Sequence, residues 1–418
     1  MTTMQLEPID EQLLQGQFGA ASAHAMGLLM KYGAMFDAER FVSVASAHID
    51  GCLYHGQSSI DFVQHFVNLG GRVRIPTTLN VAAVDVMHPG WHQGPPEILC
   101  EQATLTALHE ELGCIATLTC APYQRMLRPR LGDHIAWAES NAIVFANSVL
   151  GARTDRYGDF TDLCAALTGR VPYVGLHRPE NRLATLVVCA ADIDSAEMPR
   201  DLYFAALGYV LGMRSAGQVP AILGLPKDAN EDELKALGAS AASAGSIALF
   251  HAVGITPEAA TLSVAAGGTT AGMPEAVITG DALREAVRSL CPVEVGEQIA
   301  AVCLGTPHFS VAEFEHLTRA VTGRRAAAGV EIYVSTSREI AAHVTESSKF
   351  APLRAFRVNL VVDTCTYLAP VVRQIDGVIL TNSGKWAHYA PGNLGRRVGL
   401  MTLERCIRSA ETGRVVEP

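Results

Sequence analysis

Three cysteines stand where short apolar runs give way to turns: Cys120 in TCAPY (119–123), Cys303 just ahead of GTPH (305–308), and Cys365 in DTC (363–365). Strand ends in one parallel sheet can converge on a point, and iron–sulfur clusters take their thiolates from such loops. The chain has ten cysteines, at 52, 100, 114, 120, 164, 189, 291, 303, 365 and 406, with no CxxC pair among them. In a reducing compartment scattered cysteines also serve as small buried hydrophobes. Spacing alone leaves both readings open.

Polar residues gather in a few further segments, each at the end of an apolar run, where open α/β folds place their ligands. These are Asp50–Gln57, Pro76–Asp85, Phe250–Glu258 and Thr381–Gly392. Any one of Thr77, Thr78 and Asn80 can equally be satisfying backbone in a turn after Pro76. The stretch from Trp137 to Arg156 is different. It carries Glu139, Asn141, Asn147, Ser148, Arg153 and Arg156 among Ala, Ile, Val, Phe and Leu, without the Lys–Glu pairs of a solvated helix. Such a set is expected to face a cavity or a buried subunit contact.

Other chemistries lack their patterns. No GxSxG elbow, GxGxxG loop or P-loop lysine is present, and the 14 histidines include no HExxH or HxH pair, so nucleophilic hydrolysis, phosphate cradling and catalytic zinc are disfavoured. The small residues of Ala265–Gly272 read as close packing.

The elements that must position these groups alternate. Helices are expected over Glu11–Ala34, Ser58–Leu69, Glu101–Leu112, Glu231–Ser240, Val311–Thr322 and Arg338–Ser348. Strands are expected over Phe41–His48, Arg72–Pro76, Cys114–Leu118, Ala184–Ala190, Ala221–Leu223, Ile247–Phe250, Gln298–Leu304, Val330–Ser335, Asn359–Val362 and Val378–Thr381. Strand, helix, glycine stop and strand again is the rhythm of a parallel sheet, so the fold class is α/β. At 418 residues the chain has room for two or three domains. A composition shift near Pro220 to Asn230 places a loose boundary between lobes 1–220 and 221–418.

With 42 acidic against 32 basic side chains and no dense basic run, the chain is not built to bind nucleic acid. It has no basic leader ahead of an apolar segment and no run of about 18 apolar residues, so a cytoplasmic protein without a membrane span is expected.

Taken in order, PTTLN (76–80), TCAPY (119–123), WAESNA and ANSVLGART (137–154), GRVPYVGLH (169–177), FHAVGITPEA (250–259) and TNSGKWAHYAPG (381–392) resemble the large subunit of the aconitase X family over almost the whole chain. The resemblance implies an aconitase-like fold of several parallel-sheet lobes around a central cluster and substrate cleft. It also implies a hydro-lyase that dehydrates a hydroxy acid, with iron acting as Lewis acid on the leaving hydroxyl. Two activities are known in the family: dehydration of cis-3-hydroxy-L-proline, giving 1-pyrroline-2-carboxylate, and dehydration of mevalonate 5-phosphate. A lyase of this family acting on another hydroxy acid and a non-catalytic homologue acting as a scaffold are further alternatives.

The family's cluster ligands map to Cys120 and Cys365. Its third cysteine belongs in a GCPH motif that here reads GTPH, with Thr306 unable to supply a thiolate, so Cys303 is the candidate third ligand. Trp386 likewise replaces a cysteine. Fewer thiolates favour a [2Fe-2S] over a [4Fe-4S] cluster. Where the phosphomevalonate enzymes resemble SGVSY, this chain has Asp50, Gly51, Cys52, Leu53 and Tyr54. A carboxylate there suits a ring ammonium and repels a phosphate, which favours the hydroxyproline. The resemblance further implies Arg153 or Lys385 for the substrate carboxylate, Asn80, Ser140, Asn147 and Ser383 as orienting groups, and Glu139 with Lys385 and Ser383 in the catalytic set. A small swivelling-domain subunit is expected to complete the site.

Overall fold

The computed structural model describes residues 4–190, 198–215, 217–373 and 376–417. Among them three sheet-centred units follow one another, each with its own apolar core.

The first unit contains β1 (Phe41–Ser43), β2 (Ala47–Ile49), β3 (Thr77–Leu79), β4 (Ala136–Trp137) and β5 (Arg170–Pro172). β1 and β5 pair antiparallel, while β3, β2 and β4 form a parallel sheet with β2 in the middle. Helices Ala20–Met35 and Gln57–Asn68 pack Leu29 and Phe66 against Phe41 and Ile49, all at most 1% exposed. The single helix expected over 11–34 is broken, because Gly16 and Gly19 take φ of 76° and 96°, which a helix cannot accommodate. Helix Pro8–Leu14 therefore stands apart, anchored where the buried carboxylate of Asp10 meets the Arg170 guanidinium at 2.7 Å.

The strand expected over 72–76 lies instead at Thr77–Leu79, beyond Pro76. Both threonines of β3 are buried, and their hydroxyls are satisfied by the Ile75 carbonyl at 2.9 Å and His48 Nδ1 at 2.8 Å. The run expected over 41–48 is divided between β1 and β2. Only Ile115 of the expected 114–118 strand makes a bridge, to Thr78.

The second unit is a parallel sheet in the order β8-β7-β6-β9, from β6 (Leu186–Ala190), β7 (Pro220–Leu223), β8 (His251–Ala252) and β9 (Glu275–Ile278). The strand expected over 247–250 thus begins one residue after that segment. Residue 220 opens β7, which pairs with β6, so the boundary expected there falls inside a sheet rather than between two. Helices Arg200–Ser215 and Glu231–Gly245 cross at glycines: a Cβ on Gly245 would sit 1.8 Å from the Gly212 carbonyl.

The third unit is a five-stranded parallel sheet ordered β12-β11-β10-β13-β14. Its strands are β10 (Ile299–Leu304), β11 (Glu331–Ser335), β12 (Val358–Val361), β13 (Val378–Thr381) and β14 (Val398–Leu400). All six residues of β10 are buried, as the centre of a sheet covered on both faces requires. No described helix is long and apolar enough to cross a membrane.

Candidate active site

The carboxyl ends of the first and third sheets face one another. In the first unit β2 is followed by Asp50, β3 by Asn80 and, after one residue, β4 by Glu139. In the third unit β10 leads into Gly305–His308, β12 into Asp363–Cys365, and β13 into Ser383–Lys385. Backbone bonds join the two sides, from Ala82 N to the Asp363 carbonyl at 2.6 Å, and Asp85 accepts the Val362 N–H at 3.0 Å.

Cys120, His308 and Cys365 meet in this junction. One donor atom of each lies within 4.8 Å of the others, and all three are buried. The His308 backbone N–H points at Cys120 Sγ, 3.3 Å away, while its ring nitrogens reach Thr119 Oγ1 at 2.9 Å and the Thr364 carbonyl at 3.2 Å. Asn141 Nδ2 holds the Cys120 carbonyl at 2.9 Å. Burial pushes the Cys120 thiol up. Cys365 is held well below the ordinary thiol range, first by its hydrogen bond with Cys120 and then by His308, against the opposing effect of burial. A thiolate is the ligand form of cysteine, so this pair is half prepared for a metal.

Cys303 lies outside the group. Its side chain sits in the same apolar cluster, but its thiol hydrogen-bonds Thr366 and burial raises it to about 12. Trp386 fills that cluster too, donating from Nε1 to Thr366 Oγ1 at 2.9 Å.

Beside the cysteines, Lys385 Nζ lies 2.6 Å from Glu139 Oε1 and 3.4 Å from Ser140 Oγ. Burial alone would depress this lysine and raise this glutamate. Each instead keeps its charge because the other more than offsets the loss of water. Glu139 also caps helix Ser140–Phe145, its Oε2 accepting the Ala142 N–H at 2.6 Å. Ser383 caps the helix that carries Lys385, accepting from Trp386 N at 3.1 Å and donating to the Thr306 carbonyl. Gly384 next to it packs closely on Ser240: a Cβ there would lie 2.3 Å from Ser240 Oγ, which would have to turn away.

Asp50 accepts from Asn80 Nδ2, while the other amide atom, Asn80 Oδ1, is buried without a partner. The Asp50 and Gly51 N–H groups both point at Asp162, at 2.7 and 3.5 Å, which fixes the loop. Burial, with Glu139 and Asp159 adding to it, raises the Asp50 carboxyl to about 7. Cys52 is fully buried, its thiol 3.2 Å from the Asn80 carbonyl, and Leu53 is partly exposed beyond it.

Two expected residues are elsewhere. Asn147 uses all its side-chain hydrogen-bonding atoms inside the protein: Nδ2 to the Thr154 and Ala248 carbonyls at 2.9 and 3.0 Å, and Oδ1 from Thr154 N and Arg182 at 3.0 and 3.1 Å. Arg153 lies against His134 and His177, with Nε buried and unpartnered. His308, in contrast, carried no HExxH or HxH spacing in the sequence, and its place in the GTPH turn that follows β10 was the signal available. A cleft of about 600 Å³ between the second and third units has Lys235, Glu313, Thr306 and Ser383 in its lining, and so reaches the site from the second-unit side.

Three family descriptions match nearly the whole chain in sequence: aconitase X first domain over 3–180, second domain over 184–288 and third domain over 299–412. The chain belongs to the aconitase X family. Among aconitase X relatives, a cis-3-hydroxy-L-proline dehydratase of Pseudomonas aeruginosa is 40% identical, the match spanning 98% of this chain and 70% of that one. A phosphomevalonate dehydratase large subunit of Thermococcus kodakarensis is 32% identical over 97% of this chain and 100% of its own. The crystal structure of Thermococcus kodakaraensis aconitase X in its holo-form superimposes with a TM-score of 0.85 at 31% identity, covering 97% of this chain and all of that one. The α/β fold of facing parallel sheets is thus the aconitase X fold.

Proposed function

We propose that the chain is the large, catalytic subunit of an iron–sulfur hydro-lyase that dehydrates cis-3-hydroxy-L-proline to 1-pyrroline-2-carboxylate. One observation carries the substrate: Asp50 and the unpartnered Asn80 Oδ1 stand side by side at adjacent strand ends. They are two acceptors for the two N–H bonds of a ring ammonium, and a poor cradle for a phosphate. The 40% identity with a protein named for this reaction supports the same reading.

The donor set fits an iron–sulfur centre. Two cysteine sulfurs and a histidine meet in a buried pocket, and the flanking hydroxyls of Thr306 and Thr364 are buried without partners, donors left over for inorganic sulfide. Cys120 and Cys365 would hold a [2Fe-2S] centre, with the remaining terminal positions on its irons filled from elsewhere in the site. When bound, it supplies a Lewis acid for the departing hydroxyl.

The chain's own residues bind and orient. Lys385 has three N–H donors, of which Glu139 and Ser140 take two, leaving the third for the substrate carboxylate. Glu139 keeps that lysine charged in a buried site. Ser383 fixes the start of the lysine's helix against the Thr306 loop. Loss of the α-proton and of the hydroxyl gives an enamine, which tautomerises to the imine product. A small subunit completes the site, as supported by the end-to-end match with a relative named as a large subunit.

The test is turnover by the oxygen-free complex with its small subunit. Dehydration of cis-3-hydroxy-L-proline without dehydration of mevalonate 5-phosphate is expected. The reverse preference sinks the substrate assignment, and absence of iron and sulfide sinks the iron–sulfur one.

A further inference from the structure

We propose that His308, through its imidazole ring, is the third protein ligand of the metal centre, so that this chain holds it by two thiolates and one imidazole. The inference rests on the iron–sulfur reading above and concerns only which atoms of the chain complete it.

Four observations carry it. His308 is the residue that joins Cys120 and Cys365 within 4.8 Å, and it is fully buried. Its Nε2 faces the Thr364 carbonyl at 3.2 Å, an atom that can only accept, so Nε2 carries the proton and Nδ1 the lone pair. A ligating histidine is commonly oriented by this kind of second hydrogen bond, which fixes the tautomer and raises the basicity of the metal-facing nitrogen. Third, the present partner of Nδ1 is the Thr119 hydroxyl at 2.9 Å, which can rotate away; Thr119 Oγ1 already accepts the Ala121 N–H at 3.2 Å. Exchanging one neutral hydrogen bond for a metal bond asks little of the surroundings.

Fourth, the other candidates fail on position or chemistry. Cys303 is outside the group and hydrogen-bonded to Thr366. Thr306 offers a hydroxyl, a poor ligand for iron in a sulfur-rich site. Its Oγ1 and that of Thr364 are buried without a hydrogen-bond partner, which leaves both hydroxyls free to donate.

Electron spin-echo modulation on the dithionite-reduced complex reads the ligand directly. Wild-type protein is expected to show strong coupling to a directly bound imidazole 14N. His308→Cys should keep iron and sulfide, lose that coupling and shift the reduction potential downward, because imidazole ligands raise the potential relative to thiolates. His308→Ala should lose most of its iron while circular dichroism reports a folded chain, whereas Cys303→Ser should retain wild-type iron. An iron–sulfur signal without imidazole coupling in the wild type overturns the ligand assignment and leaves the iron–sulfur reading standing. Loss of iron in Cys303→Ser with retention in His308→Ala overturns it as well. Wild-type complex without iron and sulfide removes the reading on which it rests.

Discussion

Lys385 and Glu139 form an ion pair of 2.6 Å across the junction of the third and first units, both side chains at most 6% exposed. Charges so far from water persist only as a pair, and removing one strands the other. Lys385→Met is therefore expected to cost about 3–5 kcal/mol, and Lys385→Met with Glu139→Gln distinctly less. Urea unfolding of the single and double variants measures the difference. Equal losses in both would show that the pair is not coupled. Turnover should vanish in both, since neither retains the ammonium proposed to grip the substrate carboxylate.

Asp50 gives a pH dependence of opposite sign for stability and for substrate use. Its folded carboxyl keeps a proton up to about pH 7, while an unfolded aspartate ionises near 4. The folded state binds the extra proton between those values, so stability falls as pH rises from about 4 to 7. Asp50→Asn has no such proton, and its melting temperature should gain on wild type across that window. In the proposed binding mode the substrate ammonium needs the ionised form, so kcat/KM should rise through an ionisation near 7 that the variant lacks. A melting offset independent of pH, or an unchanged pH–rate profile, contradicts this.

Cys120→Ser and Cys365→Ser should each reduce bound iron and sulfide to background with little change in secondary structure. Chemical analysis of anaerobically purified protein decides it. Full iron in either variant excludes that residue as a ligand.

Asn147→Ala separates scaffold from site. Four internal hydrogen bonds end on this side chain, and leaving their partners buried should cost roughly 3 kcal/mol. The folded fraction should keep its KM for cis-3-hydroxy-L-proline. A large rise in KM with unchanged stability would place Asn147 at the substrate after all.

The α/β rhythm and the strand ends that carry Asp50, Cys365 and Lys385 are legible in sequence because apolar runs ending in turns mark the carboxyl edge of a parallel sheet, whereas the run before Cys120 forms a single bridge at Ile115 in place of the expected strand. The polar stretch from 137 to 156 is less so. Its regular helix, Ser140–Phe145, passes into a wider π-helical turn at Ala146–Leu150, which changes the angular phase. Asn141 consequently reaches the Cys120 loop while Asn147, six residues on, turns toward the second unit. No periodicity argument anticipates such a turn. His308 was hidden for another reason: a single histidine after a strand looks the same whether it binds metal or carbonyl oxygen.

The contact between His308 and Cys120 spans 188 residues of chain. A bond network closed through a metal at that point would act on the unfolded ensemble like a cross-link, and tying off a loop of that order is worth about 5 kcal/mol. On the proposed reading, the atoms that would hold the centre also help to tie the two outer units together, beside the Ala82–Asp363, Val362–Asp85 and Lys385–Glu139 contacts. If the proposed centre is present, its chelation or oxidation would loosen the molecule as a whole, and the melting temperature should report how far the site is loaded.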